Sequence, residues 1–405
     1  MKYSVLLFFC LFTHIIFAEF KLGIENIPDE MVRAYAGKKK PRIGLITNQT
    51  GKDQKGIPTL DLLLAKGFNV VYMFAPEHGI DGTAHASAEV KNSIDKKRNV
   101  PIVSLYGKGI GKKVDPDILN GVDIFIFDIQ DSGMRHYTYI STLFTMLQIC
   151  AQEQKKLIVL DRPNPLGKTM EGPLVEPSLI TFYSIASIPL RHGMTIGELA
   201  EYFNAHVLEK PAALHVVTMK DYDRTTGILQ LMAPLSPNIP CIEACHGYSF
   251  LGLLGEIRPF NVGLGTEQPF QVISLPTSKG MDGAIWNNLA LHLKGLGITC
   301  MPCEYMHARK KEMHHGLRLS MPNINQVCAF NALLATIEAI KNAGIKIDIT
   351  PAFDKAVGSR LVRSYLMGSI TYQELVSEIN NSLQSFFQKA QAVFKYYPHP
   401  ELFFI

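Results

Sequence analysis

The chain lacks the marks of a nucleic-acid binder, a membrane protein and a disordered segment. It has 40 Lys+Arg against 36 Asp+Glu over 405 residues, a formal net charge of +4. No basic stripe accompanies that small excess, which excludes a dedicated nucleic-acid surface. No long block of like charge occurs, and 47% of residues are hydrophobic, so disorder is excluded as well. The 31 Gly and 23 Pro follow no period, which removes collagen-like and low-complexity readings. Past the first residues no stretch approaches the apolar length of a membrane span.

Several motifs are missing too. No GxGxxG joins the first strand to a helix, so dinucleotide binding loses its main support. Tyr106-Gly-Lys-Gly-Ile-Gly-Lys112 lacks the phosphate-loop spacing and the Ser/Thr after its Lys. His246-Gly-Tyr-Ser249 is not a nucleophile elbow. The lone Trp286 reads as a packing residue. Cysteine is scarce, with seven in all. Cys10 sits in the leader, and Cys150, Cys241, Cys245, Cys300, Cys303 and Cys328 remain. In an exported chain they would be disulfides or buried thiols. A zinc reading of Cys241-x3-Cys245-His246 with Cys300-x2-Cys303 is the weaker one.

Met1-Lys2, the apolar Val5 to Phe12 and Ile15-Ile-Phe-Ala18 form a signal-peptide pattern. Residues 1–18 are therefore expected to be removed after Ala18, with export to the periplasm or beyond. An uncleaved anchor helix is the alternative. No stable membrane insertion is expected after cleavage.

The rest reads as alternating elements. Apolar runs at Arg42 to Asn48, Asn69 to Phe74, Pro101 to Leu105, Val122 to Phe127 and Lys156 to Leu160 predict buried strands. Helical patterns at Thr59 to Lys66 and Tyr139 to Gln152 fall between them. A short helix opens at Asp115-Pro-Asp117, and another at the capping sequence Thr195-Ile-Gly-Glu198. Continuous apolar strands separated by helices predict an α/β fold with a Rossmann-like parallel sheet. A boundary near 246/247 then separates residues 19–246 from a smaller α+β domain, residues 247–405. Residues 247–320 carry short strand-like runs and many glycines, and Val327 to Ala343 and Tyr372 to Phe394 read as helices.

In a parallel sheet the strand C-termini share one edge, and ligands bind in the crevice there. These strand ends deliver Asn48, Glu77-His78, Asp128 and Asp131, then Asp161-Arg162 and Asn164. Asp and Asn favour such turns, but Glu77 after Pro76 does not fit that explanation. Two carboxylates around one small ligand suit glycoside hydrolysis. One donates a proton to the leaving oxygen, and the other acts at the anomeric carbon or on water. Glu77 is the expected general acid, Asp128 the second carboxylate and Asp131 its reserve. Arg135, Arg162 and Arg191 are candidate grips for a substrate carboxylate, with neutralisation of neighbouring Asp as the alternative. His192 lies beside the last of them, ahead of a helix N-terminus. A metal-dependent hydrolase using Asp128, Asp131 and His78 is a further alternative.

Ordered strings then carry a resemblance. They are Gly44-Leu-Ile-Thr-Asn-Gln-Thr-Gly51, Phe74-Ala-Pro-Glu-His-Gly79 and Ser104-Leu-Tyr-Gly107. Asp128-Ile-Gln-Asp-Ser-Gly-Met-Arg-His-Tyr-Thr-Tyr139 and Leu160-Asp-Arg-Pro-Asn-Pro-Leu-Gly167 follow. Glu171-Gly-Pro173, Leu190-Arg-His-Gly-Met-Thr195 and Leu235-Ser-Pro-Asn-Ile-Pro240 complete the set. Together they resemble the exo-β-N-acetylmuramidase (NamZ-like) family of peptidoglycan hexosaminidases. The resemblance implies an active-site cleft between the two domains. It implies release of terminal non-reducing β-1,4-linked N-acetylmuramic acid from peptidoglycan-derived saccharides or muropeptides, without metal or other cofactor. Glu77 matches the family's proposed catalytic glutamate, and Tyr137, Asn238 and Glu256 join the expected substrate-binding residues. The chain departs from the family at Ile80-Asp-Gly82, Ile257-Arg-Pro259, Val262 and Leu264, the last standing where the family carries Arg. Those changes motivate one more alternative, a catalytically degenerate muropeptide-binding protein.

Overall fold

The computed structural model describes residues 20–36, 40–85, 88–107, 114–225, 231–307 and 311–404. The expected leader, residues 1–18 with Cys10, and residues 108–112 of the glycine-rich stretch lie outside them.

The apolar runs build one seven-stranded sheet. Its strands are β1 (Arg42–Thr47), β2 (Asn69–Ala75), β3 (Ser93–Asp95), β4 (Val100–Ser104), β5 (Ile124–Asp128), β6 (Lys156–Leu160) and β8 (Ala213–Val217). The order is β3-β4-β2-β1-β5-β6-β8, parallel throughout except for the antiparallel edge pair β3/β4. The chain winds outward from β1 to one side, then from β5 to the other, so the switch point lies between β1 and β5. The N-terminal helices are α1 (Asp29–Ala36), α2 (Thr59–Ala65), α3 (Pro116–Asn120), α4 (Tyr139–Gln152) and α5 (Ile196–His206). Local chemistry sets their starts. The Asp115 carboxylate accepts the Asp117 N–H at α3, and Thr195 and Glu198 close a capping box at α5.

Side-chain alternation along β5 separates two cores. Phe125 and Phe127 enter a large cluster with α4 and α5, whereas Ile124 and Ile126 enter a smaller one with Leu60 and Leu63 of α2. Each fully buried Phe contributes about 2 kcal/mol of hydrophobic stabilisation. The larger cluster runs on without a break into the C-terminal domain, through Phe250, Ile273, Phe330 and Phe353.

The C-terminal domain begins in α6 (Ile242–Leu254), which contains the expected boundary residue His246. A three-stranded antiparallel sheet follows, ordered β10 (Val272–Pro276), β12 (Glu312–Ser320), β11 (Thr299–His307). Short β9 (Ile257–Arg258) pairs with β13 (Asp348–Ile349), and β14 (Glu401–Leu402) returns to pair with β7 (Thr169–Met170) in the first domain. The remaining helices are α7 (Gly283–Gly295), α8 (Ala329–Asn342), α9 (Pro351–Val357), α10 (Arg360–Leu366) and α11 (Tyr372–Ala390). Trp286 is buried on α7, and the six described cysteines are free thiols, three of them buried.

Candidate active site

The C-terminal edge of the parallel sheet and the C-terminal domain enclose a cavity of about 550 Å³. That volume lies within the range of small-ligand sites. The turn after β2 and the segment between β5 and α4 form one wall. The 236–239 loop forms part of the rim. Tyr248 and Gly252 of α6, then Glu256, Leu264 and Phe270, face them with α9.

Glu77 lies on the first wall and is 4% exposed. Its turn is closed by the Gly79 N–H donating to the Pro76 carbonyl at 3.1 Å. His78 has φ 69 there, a conformation that suits Gly or Asn. Such a residue stores about 1–3 kcal/mol of strain and persists when its surroundings hold it. Here the hold is the His78 ring, whose Nδ1 meets the Ala84 carbonyl at 2.7 Å. The Thr138 hydroxyl donates to Glu77 Oε2 at 2.7 Å. The carboxylate is therefore fixed in direction at the cavity wall.

Behind it the cavity is aromatic and neutral. The rings of His136 and Tyr248 meet at a tilt of 35° with centroids 4.7 Å apart, and a Cβ at Gly252 would come within 2.8 Å of both. Both His136 nitrogens are buried, with no hydrogen-bond partner among the described residues. Burial first, and then the charge of Arg135, push the His136 pKa from 6.5 to about 3, so the ring is neutral at pH 7. Tyr248 is raised by burial and then by the charges of Glu77, Asp131 and Glu256, so it stays a phenol. Tyr137 and Tyr139 both donate to the Leu235 carbonyl, at 2.8 and 2.9 Å. These bonds, with two from the Gln49 amide to the Pro234 and Leu235 carbonyls, position the loop bearing Asn238.

The His136 shift has a consequence for stability. Above pH 6.5 the imidazole is neutral in both folded and unfolded chains. As pH falls toward about 3, the unfolded chain binds a proton that the folded one refuses, so stability declines with acid. His246, pushed down to about 4 chiefly by burial, adds to that decline. His136→Phe is expected to flatten the decline, read as the urea midpoint between pH 6.5 and 4. An unchanged slope would show that His136 does not govern it.

Of the residues expected from the sequence, Glu77, His78, Tyr137, Asn238 and Glu256 line the cavity. The others do not line it and have internal partners instead. Asp128 shares the alternation of Ile124 and Ile126 and points to the α2 side of the sheet, where it is fully buried. Arg162 grips it with two bonds of 2.5 and 2.8 Å, and the Thr59 hydroxyl donates to it. Asp131 accepts the Gly133 N–H at 2.7 Å and faces His192 Nε2 at 3.1 Å, behind the cavity wall. His192 Nδ1 accepts the Met194 N–H, so its Nε2–H donates to Asp131.

Arg135 donates to the carbonyls of Pro173, Ile188, Ala356 and Val357. Burial lowers its pKa to about 9, which leaves it charged at neutral pH. Arg191 pairs with Glu171 at 2.8 Å and also donates to the Leu166, Ile324 and Val327 carbonyls. Glu171 in turn accepts the Ala329 and Phe330 N–H groups at the start of α8. The Asn48 side-chain oxygen accepts two bonds from Thr50, and Asn164 braces its own loop through Leu166 and Met194. Among the described residues no three His, Cys, Asp or Glu gather as a metal site, so Asp128, Asp131 and His78 form no such cluster.

Sequence reasoning missed Thr138, Tyr248, Phe270 and Lys355 and gave His136 no substrate role. His136 and Thr138 stood inside a string already singled out. The others come from a domain whose approach to the sheet edge no local pattern reveals.

The comparisons with known proteins agree with this architecture. The N-terminal profile of exo-β-N-acetylmuramidase NamZ matches residues 43–243, and its C-terminal profile matches residues 246–396. Peptidoglycan β-N-acetylmuramidase NamZ of Bacillus subtilis (strain 168) is 34% identical over 375 residues, covering 90% of this chain and 88% of that protein. A crystal structure of a DUF1343 family protein from Bacteroides fragilis matches with a TM-score of 0.82 and 29% identity, covering 93% of this chain and 99% of that one. A second from the same organism has a TM-score of 0.74 and 28% identity, covering 94% and 99%. With both profiles matched in order and a relative this similar along most of its length, the chain belongs to the exo-β-N-acetylmuramidase NamZ family.

Proposed function

We propose that the protein is an exo-acting glycoside hydrolase that releases terminal non-reducing β-1,4-linked N-acetylmuramic acid from peptidoglycan fragments. The observation that carries the reading is Glu77, held by Thr138 in a strained turn on the wall of a sugar-sized cavity. Membership of the family supports the choice of sugar. In this reading Glu77 protonates the glycosidic oxygen as the bond to the anomeric carbon breaks, and a water then bonds to that carbon and gives up the proton that restores the acid. Glu256, the other acidic residue that lines the cavity among the described residues, supplies negative charge to the oxocarbenium-like transition state. This replaces the role first expected of Asp128. The neutral ring of His136 belongs to the same cavity lining and adds no charge to it.

The deciding experiment incubates the chain with a disaccharide bearing N-acetylmuramic acid at its non-reducing end and N-acetylglucosamine at the other. Release of both free sugars is expected. A second reading, muropeptide binding without cleavage, draws on Leu264, which lines the cavity. It predicts calorimetric binding of the same disaccharide with no products.

We also propose that residues 1–18 direct export and are removed. Lys2, the apolar Val5 to Phe12 and the small Ala18 support this. No helix among the described residues is long and apolar enough to cross a membrane. N-terminal sequencing of the exported chain tests the cleavage, with Glu19 expected first.

A further inference from the structure

We propose that Lys355 is the residue that recognises the free lactyl carboxylate of the sugar, and so sets the preference for muramic acid over neutral hexosamines. The proposal rests on the reading of the cavity as a muramic-acid site. A sugar that carries a carboxylate meets a difficulty there, because Glu256, the charged carboxylate of that reading, lines the same cavity as the acid Glu77. Like charges brought together on binding oppose it unless a cation offsets them. The three arginines that the sequence offered for this purpose are taken up elsewhere. Arg162 is paired with Asp128, Arg191 with Glu171, and Arg135 with four backbone carbonyls.

Among the described residues, Lys355 is the one Lys or Arg that lines the cavity. It is exposed, and among the described residues its ammonium forms no ion pair. The neighbouring carboxylate, Asp354, is held by Arg363 at 2.8 Å. The backbone beneath Lys355 is fixed from two sides. The Ser184 hydroxyl donates to its carbonyl at 2.8 Å, and Arg135 donates to the next two carbonyls at 3.2 and 2.6 Å. The following Gly358 has φ 75, and a Cβ there would come within 2.6 Å of the Arg135 guanidinium. A mobile surface lysine needs no such support. A lysine held at a ligand site does, because its long side chain must be aimed from a steady base.

The test compares two chromogenic aryl β-glycosides of N-acetylmuramic acid, one with the free lactyl acid and one with the neutral lactyl amide. The unaltered chain is expected to favour the acid by about tenfold in kcat/KM, most of it in KM. In Lys355→Met the ratio should collapse toward one, and Lys355→Arg should restore most of it. If Lys355→Met keeps the preference for the acid, or lowers both substrates equally, the assignment is overturned. If the unaltered chain cleaves neither glycoside, the hydrolase reading fails separately. Calorimetry with free N-acetylmuramic acid against N-acetylglucosamine then tests Lys355 alone. Loss of discrimination in Lys355→Met supports the assignment there, and unchanged discrimination overturns it.

Discussion

Glu77→Gln is expected to lower hydrolysis of a chromogenic β-muramide by about 10³-fold, within the range that loss of a positioned general acid produces. The substitution keeps the shape of the side chain and leaves an oxygen to accept from Thr138, which now donates to Oε2. The strained turn at His78 should therefore survive, since its hold is the Ala84 carbonyl and not the Glu77 carboxylate. Thermal unfolding and binding of the product sugar should stay close to those of the unaltered chain while kcat collapses. Near-normal turnover would remove Glu77 from the reaction. A collapse accompanied by loss of product binding would instead point to a disturbed cavity.

Asp128→Asn is expected to do the reverse, with a large loss of stability and little loss of chemistry. Asp128 is fully buried, and so is Arg162, which grips it with two bonds. Removing the charge from one partner leaves a guanidinium in a dry interior. Breaking a buried pair in this way costs about 3–5 kcal/mol. The urea midpoint should fall markedly, whereas turnover per folded molecule should remain near that of the unaltered chain. A stable but inactive Asp128→Asn would return this carboxylate to the reaction and undo its placement on the far side of the sheet.

The contrast between those two carboxylates shows what a reader of the chain can and cannot extract. The strands were legible wherever apolar residues ran without interruption, as at Lys156–Leu160. Helix starts were legible where cap chemistry declared itself, as at Thr195 and Glu198. Strand β8 was not, because an edge strand carrying His215 has exposed and half-buried positions in alternation and no continuous apolar run. Helix α6 was hidden for the opposite reason. It is buried at most of its positions, and an apolar run interrupted by Gly247 and Gly252 looks the same for strand and helix. Glu77 could be found from its own neighbours, because Pro76 and the Glu-His-Gly sequence are an odd way to leave a strand. The orientation of Asp128 was implicit in its shared parity with Ile126. Which side of the sheet holds the ligand is decided by the second domain, and nothing in Phe-Ile-Phe-Asp reports that.

Arg135 has a last mechanical implication. Its guanidinium donates to Pro173 and Ile188 beside the sheet and to Ala356 and Val357 at the end of α9. No acidic group is among these partners, so hinging α9 outward would strand a cation in surroundings too apolar to solvate it. The jaw that bears Lys355 is thus bolted to the one that bears Glu77, by bonds that any opening would have to break. How far the end of a glycan can enter is then set by walls that the fold itself ties together.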